Sequence, residues 1–119
     1  MLAHYSYHIW FRVCKAFKGK YNLSTNCVLV LNGAYCYYKV MNTPFTRYQL
    51  LMFVKYYDMV RLGKYISVLI GKDFISQAGL KRGRQMYCIS ELGLQVINDL
   101  NKSYQDQLYI FCNKYNIEL

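Results

Sequence analysis

Acidic side chains are scarce: six Asp and Glu stand against 15 Lys and Arg in 119 residues, a formal net charge of +9. Four of the six lie after residue 90, so no pair of carboxylates is placed for general acid–base work. No nucleophile elbow and no phosphate-cradling glycine motif is present either. Gly79 to Gly83 lacks the Gly-Lys-Ser/Thr ending of a phosphate loop. An enzyme is not expected. Proline occurs once, and no Ser/Gly-rich linker, low-complexity tract or internal repeat divides the chain. We therefore expect one domain.

Long apolar runs are missing too. The best, Cys27 to Leu31, stops at Asn32, far short of the roughly 18–20 residues that cross a membrane. The first residues lack a charged n-region, and His4, Tyr5, Tyr7 and His8 interrupt any signal-like apolar stretch. The expectation is a soluble, intracellular, cytoplasmic protein with no membrane partner. Cys14, Cys27, Cys36, Cys88 and Cys112 include no C-x-x-C spacing, which excludes a zinc ribbon or a thioredoxin-type motif. They read as small buried hydrophobes in a reducing compartment. His4 and His8 share a helical face, but no carboxylate or thiol stands near them in sequence. No metal and no cofactor is expected.

What the chain does have is basic charge and tyrosine. Residues 1–90 hold 13 basic and two acidic side chains, a net of +11, whereas residues 91–119 carry a net of −2. A basic body suits a polyanion. The 14 tyrosines include Tyr35, Tyr37, Tyr38, Tyr56, Tyr57 and Tyr65, which could stack on bases. We read them as core and rim packing with wet hydroxyls.

Periodicity predicts a helix over residues 4–18, with Tyr7, Trp10, Phe11, Cys14 and Phe17 inward. Ser24 is a good N-cap for a second helix carrying Cys27, Val28, Leu31, Tyr35 and Tyr38 on one face, ended by Asn42-Thr43-Pro44. Thr46-Arg47-Tyr48-Gln49 has the form of a capping box and opens a short helix over 47–57, with Leu50, Phe53, Val54 and Tyr57 inward. Asp58 caps a fourth helix over 59–71, with Leu62, Ile66, Leu69 and Ile70 inward. Residues 73–78 and 84–89 then read as two strands around a hairpin tip at 79–83. Ser90 caps a last helix bearing Leu92, Val96, Leu100, Tyr104, Leu108, Phe111 and Tyr115. The fold class is mainly α with a small β-hairpin, an α+β winged helix-turn-helix with additional N- and C-terminal helices. Its parts are an N-terminal helix (1–22), a winged-helix core (23–100) and a continuation of the last helix (101–119).

From Tyr65 to Ile75 the chain resembles the end of a recognition helix and the first wing strand of MarR-like and PadR-like regulators, with Asp73 where that family usually has Gly. Tyr87-Cys88-Ile89-Ser90-Glu91-Leu92-Gly93 is similar to their Y-x-(L/I)-(T/S)-x-x-G step into the last helix. The resemblance covers about a third of the chain closely and residues 24–100 by element order. It implies sequence-specific binding of double-stranded DNA by a homodimeric transcriptional regulator, nucleoid-associated when bound. It also leaves room for a small-molecule effector between the terminal helices and the winged domain.

The residues agree with that expectation. With Leu62, Ile66 and Leu69 inward, the fourth helix turns Arg61, Lys64, Tyr65 and Val68 outward. These supply donors for base edges or phosphates and a methyl contact for thymine. Lys81, Arg82 and Arg84 crowd the hairpin tip without an acid beside them, an unfavourable arrangement unless a polyanion is sometimes present. Arg47 adds a phosphate contact. Trp10, Phe11, Leu100, Tyr104, Leu108 and Phe111 on the terminal helices are the candidate dimerisation residues, with packing of the first helix on the last within one chain as the alternative. Two other functions stay open. One is a winged-helix protein-interaction module; the other is an excision or replication accessory factor of a mobile element.

Overall fold

The computed structural model describes residues 2–54 and 58–116, with side chains from residue 8 onward. The elements run α1 (Leu2–Tyr21), α2 (Thr25–Met41), α3 (Arg47–Leu51), α4 (Met59–Gly71), β1 (Ile75–Lys81), β2 (Arg84–Ile89) and α5 (Glu91–Lys114). This is the order expected of a winged helix with a helix added at each end.

Local chemistry sets most boundaries. The Cys27 N–H donates to Ser24 Oγ at 3.2 Å, and the Arg61 N–H donates to Asp58 Oδ1 at 2.8 Å. Each bond satisfies an amide that a helix start would leave orphaned. At α3 the capping box closes in both directions: Gln49 N–H to Thr46 Oγ1 at 3.1 Å, and Thr46 N–H to Gln49 Oε1 at 2.9 Å. Asn42 ends α2 in the left-handed region (φ 50°), its N–H returning to the Tyr38 carbonyl.

Three elements differ in their bounds from the periodicity. α3 stops at Leu51 rather than residue 57, because Met52, Phe53 and Val54 donate to carbonyls only three residues back and tighten the chain out of the α-helix. Tyr56 and Tyr57 lie outside the described residues. β1 begins at Ile75 rather than Asp73 and runs through Gly79 to Lys81, so the turn is Arg82–Gly83 alone. Gly79, with φ +86°, is absorbed into the strand as part of a bulge, where Ala78 and Gly79 fall between the pairs Gln77–Tyr87 and Leu80–Gln85. α1 extends to Tyr21, three residues beyond the expected end.

The core is built around α2, whose Val30, Leu31 and Ala34 are fully enclosed, together with Leu50, Leu62, Ile66, Leu69, Ile75, Ile97 and Leu100. Some inward assignments are corrected. Phe11, Tyr38, Leu92 and Tyr115 are exposed, while Ile9, Val13, Tyr37 and Ile97 take buried places instead. A tyrosine or a leucine fits either side of an amphipathic boundary, and on helices apolar over much of their circumference periodicity alone does not rank the two faces. The side chain of Tyr7 lies outside those described.

α1 packs along α5 within the one chain. Trp10 meets Tyr104 edge-on, with centroids 5.4 Å apart. At the far end Asp99 Oδ2 accepts from Lys20 Nζ at 2.7 Å and from the Tyr21 hydroxyl at 2.6 Å. Those two donors hold the Asp99 carboxyl below its ordinary range and, in return, raise Lys20 and Tyr21. Burial pushes the Cys14 thiol up to about 11, so it is a neutral packing group at neutral pH. Among the described residues no helix is long and apolar enough to cross a membrane.

Candidate nucleic-acid interface

α4 is anchored by Leu62, Ile66 and Leu69, each almost completely enclosed. This leaves Val60, Arg61, Lys64, Ser67 and Val68 on the exposed face. Three of the four expected outward residues are there. Tyr65 is only half exposed and packs against the core, its hydroxyl accepting from Asn26 Nδ2 of α2 at 2.9 Å. It ties the helix to the body as well as bordering its outer face. Val60 and Ser67 went unmarked in the sequence, although the same 100° rotation per residue that placed Lys64 also places them.

Arg47 is half-buried at the start of α3, and its guanidinium lies across α4. The Cζ atom would stand 2.9 Å from a β-carbon at Gly63. Gly63 therefore gives the guanidinium its seat, a relation that neither residue announces in sequence. Nearby Tyr48 and Met52 of the α3 segment are strongly exposed.

The wing is a two-stranded antiparallel hairpin closed by Arg82 (φ 53°) and Gly83 (φ 77°). Two consecutive positive φ angles are those of a type I′ turn, the kind whose twist matches the strands. Lys81 and Arg84 face each other across the ladder, with Arg82 between them at the tip. Like charges directly opposite are unfavourable in isolation. Among the described residues none of the three forms an ion pair, and all are exposed. Gln85 Nε2 donates to the Gly79 and Met86 carbonyls at 3.0 and 2.9 Å, stitching the bulge.

The wing is not a free arm. Phe45 and Tyr87 exchange N–H to carbonyl bonds, both 2.8 Å, which add the segment before α3 to the edge of β2. At its base the Ser90 N–H donates to the Phe74 carbonyl at 3.0 Å, and Ser90 Oγ donates to the Asp73 carbonyl at 2.6 Å while accepting from the Gly93 N–H at 2.9 Å. One cleft is then lined by Arg47 and Tyr48 of α3, Met59 of α4 and Arg84 and Gln85 of β2. A second runs from Pro44 and Gln49 to Lys81, Arg82 and Arg84. Arg47 and Arg84, distant in sequence, line the same cleft.

Of the six residues expected at a dimer contact, Leu100 and Leu108 are buried inside the chain, and Trp10, Tyr104 and Phe111 are half-buried against its core. Phe11 is exposed. His4 lies outside the described side chains, and no cluster of three potential metal ligands occurs among the described residues.

The backbone resembles solved structures along nearly its whole length. RV1404 from Mycobacterium tuberculosis superposes with a TM-score of 0.72 over 90% of this chain and 69% of its own, at 10% identity. Wild-type MarR from E. coli, in its apo form, superposes at 0.69 over 96% of this chain and 82% of MarR, at 14% identity. This chain has the MarR-like winged-helix fold. A MarR variant complexed with operator DNA gives 0.67 over 96% of this chain and 79% of its own, at 14% identity. No protein-family model and no curated protein matches the sequence.

Proposed function

We propose that this protein binds double-stranded DNA in a sequence-specific manner, as a homodimeric transcriptional regulator without catalytic activity. α4 enters the major groove with Arg61, Lys64 and Val68, and Tyr65 reaches a phosphate from the edge of that face. The basic tip, Lys81, Arg82 and Arg84, follows the adjacent minor groove or its flanking phosphates. Arg47 contacts a phosphate between them. The observation that carries this reading is the cleft joining Arg47 and the start of α4 to Arg84 of the wing, in a region whose cations form no ion pair among the described residues. The operator complex of a MarR variant, alike in fold, supports it.

Dimerisation through the terminal helices rests on apolar side chains that α1 and α5 leave exposed. Phe11, Tyr109 and Ile110 would meet a second copy, while Trp10, Leu100, Tyr104, Leu108 and Phe111 support them from the intramolecular side. Cytoplasmic residence, with association to the nucleoid on binding, follows from this function.

The test is fluorescence anisotropy with duplex DNA across a salt series, with light scattering on the same sample. Affinity should fall steeply with salt, and scattering should report a dimer. Replacing Lys81, Arg82 and Arg84 together by Ala should reduce the log–log salt slope by about 2–3, at about 0.9 per lost phosphate contact. Absence of duplex binding at low salt overturns the proposal.

A further inference from the structure

The exposed face of α4 is unusually apolar for one turned to water. Val60 is 68% exposed and Val68 45% exposed. With Lys64 between them they form a single ridge at i, i+4 and i+8. Such valines serve neither the core nor the helix, since β-branched side chains lower helix propensity. At 1.5 Å per residue the ridge is about 12 Å long, the rise of three to four base pairs. Arg61 and Ser67 flank it, and the carboxylate of Asp58 is engaged by the Arg61 N–H.

The helix is equally marked by what it lacks. The segment Met59–Gly71 contains no Asn or Gln, the side chains whose amides pair bidentately with adenine. An A·T pair can then be distinguished in the major groove by its other feature, the thymine 5-methyl group, which an apolar side chain recognises by excluding water.

Resting on the DNA-binding reading above, we infer that Val60 and Val68 are specificity-determining residues that pack against thymine methyl groups, and that the preferred DNA is rich in A·T pairs at those two positions. Lys64, a compact donor on the same ridge, takes an acceptor on the base pairs between. The occupant of this apolar ridge is duplex DNA rather than a protein, because the surface around it is cationic: Arg61 and Lys64 on α4, Arg47 across Gly63, and Arg84 on the cleft that opens beside Met59.

Removing the methyl group alone tests the inference. The full chain is titrated by anisotropy, at one fixed salt concentration, into three 24-base-pair duplexes: alternating A·T, the same duplex with every thymidine replaced by deoxyuridine, and alternating G·C. The alternating design places a thymine within reach in any register. Burial of one methyl group is worth about fourfold in affinity and two about fifteenfold, so the thymidine duplex should bind roughly fifteenfold tighter than its deoxyuridine counterpart. It should also bind more tightly than the G·C duplex. Val60→Ser with Val68→Ser should bring the thymidine-to-deoxyuridine ratio to within twofold while helicity and the salt slope stay unchanged. Equal binding to all three duplexes overturns the methyl readout and leaves DNA binding standing. A thymidine preference that survives in the double variant also overturns it, since the methyls would then be read elsewhere. Failure to bind any duplex at low salt overturns the DNA-binding reading itself, and this inference with it.

Discussion

The guanidinium of Arg47 is seated on Gly63, its Cζ 2.9 Å from where a β-carbon would project from α4. One side chain thereby links the first residue of α3 to the middle of the helix proposed to enter the groove. Gly63→Ala adds a methyl that only the flexible end of Arg47 must avoid, and alanine is the better helix former by up to about 1 kcal/mol. Thermal stability should therefore hold or rise while duplex affinity falls several-fold. Arg47→Ala should cause a similar loss, and the double variant should be no weaker than either single one, a non-additivity that a double-mutant cycle measures.

Gly93 stands where α5 passes under the turn leading into the wing. A β-carbon there would collide with the backbone carbonyl of Phe74 and meet Ile89 Cγ1 at 2.9 Å. Backbone cannot swing aside as a side chain does. Gly93→Ala should cost about 2–3 kcal/mol in urea unfolding, as overpacking does. Gly71→Ala, with no atom within 4 Å of the added carbon, serves as the control.

Asp73 occupies the left-handed region with φ 63°. Glycine adopts this region without steric cost. Asp is among the few residues that tolerate that region, through a short polar side chain. Asp73→Gly should raise stability by about 0.5 kcal/mol, and Asp73→Ala should lower it by about 1 kcal/mol, both read by thermal melting.

The pin of Lys20 and Tyr21 on Asp99 makes the α1–α5 pairing pH-dependent. The folded Asp99 carboxyl titrates below its unfolded value of 3.8, so its contribution is present above that pH and is lost as the pH falls through the lower folded value. Lys20 titrates above 10.5, so its part is complete below that pH and is lost as the pH rises through the higher folded value. The window between is neutral and mildly acidic or alkaline solution. The Lys20–Asp99 pair is open to water and screened by salt. Asp99→Asn should flatten the acid limb of stability measured from pH 2 to 7, with the largest difference at low ionic strength.

Tyr109 and Ile110 project from α5 on the side away from its buried seam, 60% and 57% exposed. Substituting both with Asp should leave the circular dichroism spectrum intact and halve the mass seen by light scattering. A monomer should then bind duplex DNA more weakly, having lost the second half-site.

Much of this molecule is legible in one dimension. Ser24, Thr46, Asp58 and Ser90 each cap the helix that follows, because a cap acts on amides two or three residues away and needs no distant partner. The element order, the basic hairpin tip and the buried stripe of α4 follow from short-range chemistry in the same way. The length of α3 does not, since Phe53 and Val54 suit a continuing helix in pattern but close with i to i+3 bonds. Nor does the choice between Phe11 and Ile9, or between Leu92 and Ile97. Both members of each pair are apolar, and only the position of the neighbouring helix selects one.

Tertiary structure alone brought Arg47 to Gly63, Arg84 into the same cleft as Arg47, Tyr65 to Asn26, and Asp99 to Lys20 and Tyr21. Where helices start, where the chain reverses and which charges crowd the wing were already written in the order of residues, because those depend on bonds and torsions spanning a few residues. The packing of α1 on α5 and the seating of α3 on α4 decided which surfaces remain open. Side chains far apart in the chain meet only after the core has closed, and their meeting depends on how the helices cross.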